Sequence, residues 1–120
     1  MASQNVTIFH NPRCSKSRGA LEILRAEGVD PEVVEYLQTP PSANELSRIV
    51  EMLGCDPRDL MRKGEKEYKE LQLDDPTLTA KQLLTVMAKH PILIERPIVV
   101  RGNRAVVGRP PERVRELLNG

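Results

Sequence analysis

The chain has 120 residues, with 18 Lys+Arg against 17 Asp+Glu, a formal charge of +1, 39% hydrophobic and 29% charged residues, a composition that suits one small domain with a single core and disfavours global disorder. Near-zero net charge removes the electrostatic footprint of nonspecific nucleic-acid binding, and two Tyr, one Phe and no Trp leave almost no base-stacking platform, so no nucleic-acid partner is expected. The segment MASQNVTIFH has neither a basic n-region nor a sustained apolar run, and no uncharged stretch approaches the roughly 20 residues that cross a bilayer, so the expected setting is cytoplasmic and membrane-free.

Val6-Thr7-Ile8-Phe9 is a β-branched and aromatic run closed by the turn formers Asn11 and Pro12, and it predicts a buried strand that ends beside Cys14. From about Ser15 to Glu27, Ala20, Leu21, Ile23 and Leu24 recur at helical spacing, with Gly28 as the stop. Residues 33–37 read as a second strand, and a strand-helix-strand unit of this length is most economically a parallel crossover. Thr39-Pro40-Pro41 breaks that strand. Ser42-x-x-Glu45 then forms a capping box ahead of Leu46, Ile49, Val50 and Leu53, which fall on one helical face.

Asp56-Pro57 offers an N-cap and a first-turn proline for a short helix carrying Leu60 and Met61, whose end is blurred by Gly64 and the charged GEKEYKE segment. Thr79-x-x-Gln82 is a second capping box, followed by Ala80, Leu83, Leu84 and Met87 before His90-Pro91 ends the helix. Ile98-Val99-Val100 and Ala105-Val106-Val107 flank Gly102-Asn103, the pattern of a two-residue hairpin. Pro110-Pro111 opens a final helix with Val114, Leu117 and Leu118 on its apolar face. The predicted order is strand, helix, strand, three helices, two strands, helix, with no internal repeat or dividing linker.

Cys14 follows a strand-ending turn and precedes a helix, where unpaired backbone N–H groups and the positive end of the helix dipole favour an anion. Arg13, Lys16 and Arg18 add nearby positive charge. Cys14 there reads as a thiolate nucleophile, or else as a small buried apolar residue. The geometry that favours a thiolate also binds a tetrahedral oxyanion, and an arginine adds a charge-assisted pair. Arg62 after the short helix, Arg96 before Pro97, and Arg109 in Gly108-Arg109-Pro110 stand at element ends suited to that task, although each alone is also an ordinary surface residue.

An Arg96-Pro97 bond at a strand entry is a candidate cis bond, trans being the default for any X–Pro pair. His10 reads as a loop-orienting or anion-donating group, or as a structural histidine, and Ser15 and Ser17 as thiolate donors or helix caps. The two cysteines, Cys14 and Cys55, have no CxxC spacing, and no His/Cys cluster suggests a metal. Cys55 is expected to be structural. Low aromatic content and the lack of a long heptad predict a monomer.

His10-Asn11-Pro12-Arg13-Cys14, the helix-rich middle, and the run from His90-Pro91 through Arg96-Pro97 to Val100, together with Gly108-Arg109-Pro110, resemble the ArsC-type, glutaredoxin-coupled arsenate reductases over nearly the whole chain. Within them the chain is most similar to the short YfgD-like branch. The resemblance implies an α/β, thioredoxin-like fold with a mixed four-stranded sheet and a helical insertion, about residues 42–90, between strands 2 and 3 of a single domain spanning 1–120. It implies Cys14 as nucleophile, Arg62, Arg96 and Arg109 as oxyanion ligands, His10 and Ser17 as thiol-activating surroundings, and Pro97 as the cis-proline. It further implies arsenate as substrate, glutathione as co-substrate, glutaredoxin as partner, and no metal or bound cofactor.

Two rival functions share much of this pattern. Regulators of the Spx type have the same fold and a cysteine in the same loop but bind RNA polymerase; here Ser17 stands where their CxxC switch has its second cysteine. A thiol-disulfide reductase acting on another substrate keeps the site and changes only what enters it.

Overall fold

The first strand, β1 (Val6–His10), lies in the interior of a four-stranded mixed sheet of order β2-β1-β3-β4. The computed structural model describes residues 5–118. Strand β1 pairs in parallel with β2 (Glu32–Glu35) and antiparallel with β3 (Ile98–Arg101), which pairs antiparallel with β4 (Arg104–Val107). Val6, Ile8, Phe9 and His10 are all buried, as expected of an inner strand covered on both faces. Gly102 takes φ 60° while Asn103 stays at negative φ, the pattern of a type II′ hairpin turn with glycine first.

The chain forms two compact units: Pro40–Glu95, and the remainder up to Thr39 and from Arg96 onward. In the unit that holds the sheet, α1 (Ser15–Ala26) connects the parallel pair β1 and β2. Ala20 and Leu24 of α1 join Val6, Ile8, Val99 and Val106 of the sheet in one buried cluster, completed by Val114 and Leu117. Those last two residues lie on a 3₁₀ segment, Pro111–Leu117, where the sequence pattern predicted an α-helix. The three-residue spacing of Val114 and Leu117 returns both to the same face at three residues per turn, so the tighter winding serves the burial.

Strand β2 is a sheet edge and is shorter at its end than the 33–37 expectation: pairing stops at Glu35, whose carbonyl accepts from the Gln38 and Thr39 N–H groups at 2.9 Å. Tyr36 therefore leaves the ladder. Val33 and Leu37 stay exposed, while Tyr36 is completely buried.

In the helical unit, α2 (Ala43–Leu53) begins with both arms of the expected capping box: Glu45 N–H to Ser42 Oγ at 3.1 Å, and Ser42 N–H to Glu45 Oε1 at 3.3 Å. It ends at Gly54, in the left-handed region at φ 65°. The short helix predicted at Asp56-Pro57 is a 3₁₀ turn, Pro57–Leu60. The charged segment after it forms α3 (Lys66–Glu70), which buries no residue and so has no apolar periodicity to announce it. The fourth α-helix, α4 (Ala80–Lys89), has its Thr79/Gln82 capping box at 3.1 and 2.8 Å, and a 3₁₀ turn Pro91–Leu93 follows. Leu46, Ile49 and Val50 of α2 and Leu83, Leu84 and Met87 of α4 are the buried faces that the pattern predicted. Between them, Arg58 donates to the Leu73 and Asp75 carbonyls and so anchors the segment that leads to α4.

Candidate active site

Strand β1 delivers His10 to the loop Asn11-Pro12-Arg13-Cys14, and local hydrogen bonds fold that loop into the start of α1. The Asn11 carbonyl accepts from the Cys14 N–H at 3.0 Å, and its side-chain Oδ1 accepts from the Arg13 N–H at 3.0 Å, a turn that asparagine is built to make. Arg18 reaches back from α1 to donate to the Pro12 carbonyl at 3.0 Å. Cys14 itself occupies the N-cap position, with extended backbone at φ −96° and ψ 122°, and no acidic residue stands in the first turn to compete for the helix N-terminus.

Burial opposes ionisation of the half-buried Cys14. The Ser17 backbone N–H, the Arg96 guanidinium and the Lys16 backbone N–H outweigh it, and the thiol pKa falls below its ordinary value. Although the thiol makes no closed capping hydrogen bond, these donors stand where an anion would gain from them. Ser17 is wholly buried; its Oγ accepts from the Asn11 N–H at 3.0 Å and lies 2.6 Å from His10 Nδ1. Burial holds His10 below the usual histidine pKa, with Arg25 and Arg18 adding to the effect and Glu35 opposing it, so the ring is neutral at pH 7.

The Arg96-Pro97 peptide bond is cis, and so is Arg109-Pro110, which the sequence did not announce. These two Arg-Pro pairs are tied together: Arg109 Nη1 donates to the Arg96 carbonyl at 3.2 Å, and the Gly108 N–H donates to the Pro97 carbonyl at 2.9 Å. Gly108 is there for space, since a Cβ on it would lie 2.9 Å from Pro97 Cγ and 3.2 Å from Val114 Cγ1.

The sheet unit thus contains His10, Cys14, Ser17, Arg96, Pro97 and Arg109. Arg62 belongs to the helical unit, beside the Met61–Ile94 bridge; its N–H donates to the Leu93 carbonyl at 2.7 Å and its guanidinium pairs with Glu65 at 3.5 Å. Cys55, also in that unit, is half-buried, and burial together with Asp59 and Asp56 pushes its thiol pKa up, so it lacks the activation given to Cys14.

Sequence reasoning passed over Tyr36, taking it for a strand residue. Its hydroxyl is buried without a hydrogen-bond partner, and burial pushes its pKa up to about 12, with the charges of Arg96 and Cys14 acting on it in opposite directions. No sequence signal marked it, because its place follows from the register: His10 pairs with Glu35, so the next residue after Glu35 runs level with the start of the Cys14 loop. A groove of about 680 Å³ lies at the other end of the sheet, lined by residues such as Val6, Asp30, Glu32 and Arg101, and it holds no nucleophile. Among the described residues, no cluster of His, Cys, Asp or Glu is arranged to hold a metal ion, and no helix is long and apolar enough to cross a membrane.

A thiol of lowered pKa at the first helix of a mixed sheet, with a cis X–Pro bond at the entry to the neighbouring strand, defines the thioredoxin-like class of thiol proteins. The model of the ArsC family matches residues 9–117, and the chain belongs to that family. It is 49% identical over 117 residues to YfgD, an uncharacterised protein of Escherichia coli K12, covering 97% of this chain and 98% of that one. It is 50% identical over 114 residues to an arsenate reductase of Neisseria meningitidis, covering 94% of this chain and 97% of the relative. Among solved structures, the arsenate reductase of Vibrio cholerae superposes with a TM-score of 0.92 at 49% identity, covering 96% of this chain and 98% of that one.

Proposed function

We propose that this protein is an arsenate reductase, an oxidoreductase that uses Cys14 as nucleophile and takes its electrons from glutathione with the help of glutaredoxin. The observation that carries the reading is Cys14 at the N-terminus of α1 with the Arg96 guanidinium beside it, a thiolate and an anion site in one place. Near-full-length likeness to named arsenate reductases supports the substrate.

The chemistry runs as follows. Cys14 thiolate attacks arsenic(V); an S–As bond forms and an oxygen leaves as water after protonation. A glutathione thiol then adds to the same arsenic with loss of a second water. Glutaredoxin's thiolate takes the glutathione sulfur as a mixed disulfide, and the electron pair of the broken As–S bond stays on arsenic, which becomes arsenic(III). Water finally displaces Cys14, releasing arsenite.

In this scheme Arg96 and Arg109 bind the oxyanion and neutralise its charge as it shifts during attack, and Arg62 is assigned the same role on the resemblance alone. Arg109 is supported by its hydrogen bond to the Arg96 carbonyl. His10 and Ser17 hold the loop that presents the thiol, through the 2.6 Å contact between them. An external thiol suits this scheme because Cys55 has no CxxC spacing to Cys14 and burial raises its thiol pKa. Ser17 is committed to His10 and Asn11 and has no sulfur, so the intramolecular disulfide switch of the Spx-type regulators has no second partner in this loop.

The test is NADPH consumption with arsenate, glutathione, glutaredoxin and glutathione reductase, for the parent protein and for Cys14→Ser. Arsenate-dependent turnover that disappears in the variant supports the reading. A folded, reduced parent protein that gives no turnover overturns it.

A further inference from the structure

We propose that the Tyr36 hydroxyl donates a hydrogen bond to an oxygen of the oxyanion bound at Cys14, making Tyr36 a substrate-binding residue. The inference rests on the reading of the Cys14 loop as the oxyanion site and adds a neutral, directional donor to its arginines.

Tyr36 is 0% exposed, and its hydroxyl has no hydrogen-bond partner. A tyrosine whose ring is buried nearly always finds a partner for its O–H, so an orphaned hydroxyl in a well-packed fold asks for a reason. The ring leaves the sheet one residue after Glu35, which pairs with His10, and this sets it level with the loop that carries Cys14. The groups that act on the hydroxyl are Arg96, Cys14 and Asn11, all parts of the same site.

None of these groups consumes its proton. Asn11 Oδ1 already accepts from the Arg13 N–H at 3.0 Å, and Arg96 carries only donors. Nor does the thiolate take it, since the hydroxyl makes no hydrogen bond to Cys14 Sγ. The proton stays on oxygen at neutral pH, because burial raises the phenol pKa to about 12. What remains is an acceptor brought in from outside, and the oxygens of a tetrahedral oxyanion are acceptors with more lone pairs than arginines alone can fill.

The decisive variant is Tyr36→Phe, which keeps the buried ring and removes only the oxygen. Since the hydroxyl proton has no acceptor within the protein, the unliganded variant should melt close to the temperature of the parent. In the Cys14→Ser background, where binding is uncoupled from reaction, calorimetric titration with arsenate should show affinity reduced about 10-fold or more, the usual worth of a hydrogen bond to a charged acceptor. Phosphate, the same shape, should show the same loss. With Cys14 present, kcat/KM for arsenate should fall by a similar factor.

Affinity within 2-fold of the parent for both anions overturns the proposal, as does a lowered melting temperature with unchanged affinity, which marks a structural tyrosine. A parent that reduces arsenate and a Phe variant that binds as well as its parent refute Tyr36 alone. A parent that binds arsenate without reducing it refutes the reductase reading, and the binding comparison still decides Tyr36. Failure of both anions to bind the Cys14→Ser background, together with no arsenate turnover by the parent, refutes both.

Discussion

Replacing Gly108 by alanine tests whether the crowding around Pro97 helps to build the site. The new Cβ would stand 2.9 Å from Pro97 Cγ, 3.2 Å from Val114 Cγ1 and 3.4 Å from Ala20 Cβ. Carbon pairs are most comfortable at about 3.5–4.0 Å, so the Pro97 contact alone is too short by more than about half an ångström. Neither neighbour yields easily: Pro97 is a rigid ring whose carbonyl accepts from the Gly108 N–H, and Val114 is wholly buried. Overpacking of this kind costs about 1–3 kcal/mol. Gly108 does not have positive φ, so alanine also reduces the freedom of the unfolded chain, which offsets about 0.4–1 kcal/mol.

The net destabilisation is about 1–2 kcal/mol, a drop in melting temperature of roughly 4–12 °C for a chain of this size. Because Pro97 is joined to Arg96, relief of the clash moves the residue that favours the thiolate, and arsenate kcat/KM should fall with stability. Calorimetric or fluorescence melting and the coupled NADPH assay read the two effects. Gly64→Ala is the control: a Cβ there meets nothing within 4 Å, so that variant should melt at or slightly above the parent temperature. A Gly108→Ala variant that melts like Gly64→Ala and keeps full activity would refute the reasoning.

Arg96→Ala removes the guanidinium beside Cys14, so the thiolate absorbance near 240 nm should appear at higher pH than in the parent, and oxyanion affinity should weaken by about 1–3 kcal/mol; an unmoved thiol titration would detach Arg96 from the nucleophile. For His10 the sign follows from its depressed folded pKa: the unfolded chain takes up this proton first as pH falls below the ordinary value of 6.5, so stability is full above that pH and is lost as pH falls through the folded pKa. Urea unfolding between pH 7.5 and roughly 5 should therefore show a steeper decline for the parent than for His10→Gln. Parallel declines would mean that His10 does not titrate against folding.

Which parts of the molecule were legible beforehand follows from the range of the interactions involved. Ser42 with Glu45, and Thr79 with Gln82, start helices through bonds spanning three residues, and both capping boxes formed as the sequence predicts. The Cys14 loop is equally local: Asn11, Arg13, Ser17 and Arg18 close it within seven residues of the thiol, so a cysteine at a helix start could be read directly. Helix α3 was hidden because nothing in it is buried, and the final segment was misjudged as α-helical because spacings of three and four look alike over so short a stretch.

The sequence by itself determined most of the order of strands and helices, the parallel crossover, the C-terminal hairpin and the position of Cys14 at a helix start, since these depend on apolar periodicity, turn formers and near neighbours. Tertiary structure alone decided the placement of Tyr36, the tie between Arg109 and Arg96, the isomer of each Arg-Pro bond, and the need for Gly108 to lack a side chain. The first depends on the register of β1 with β2, and the Arg109 tie and the Gly108 contact on the pairing of β3 with β4, which sets Gly108 and Arg109 beside Arg96-Pro97. Contacts of that kind leave no periodic trace in the chain, because the forces that set them act between surfaces that exist only after the sheet has formed.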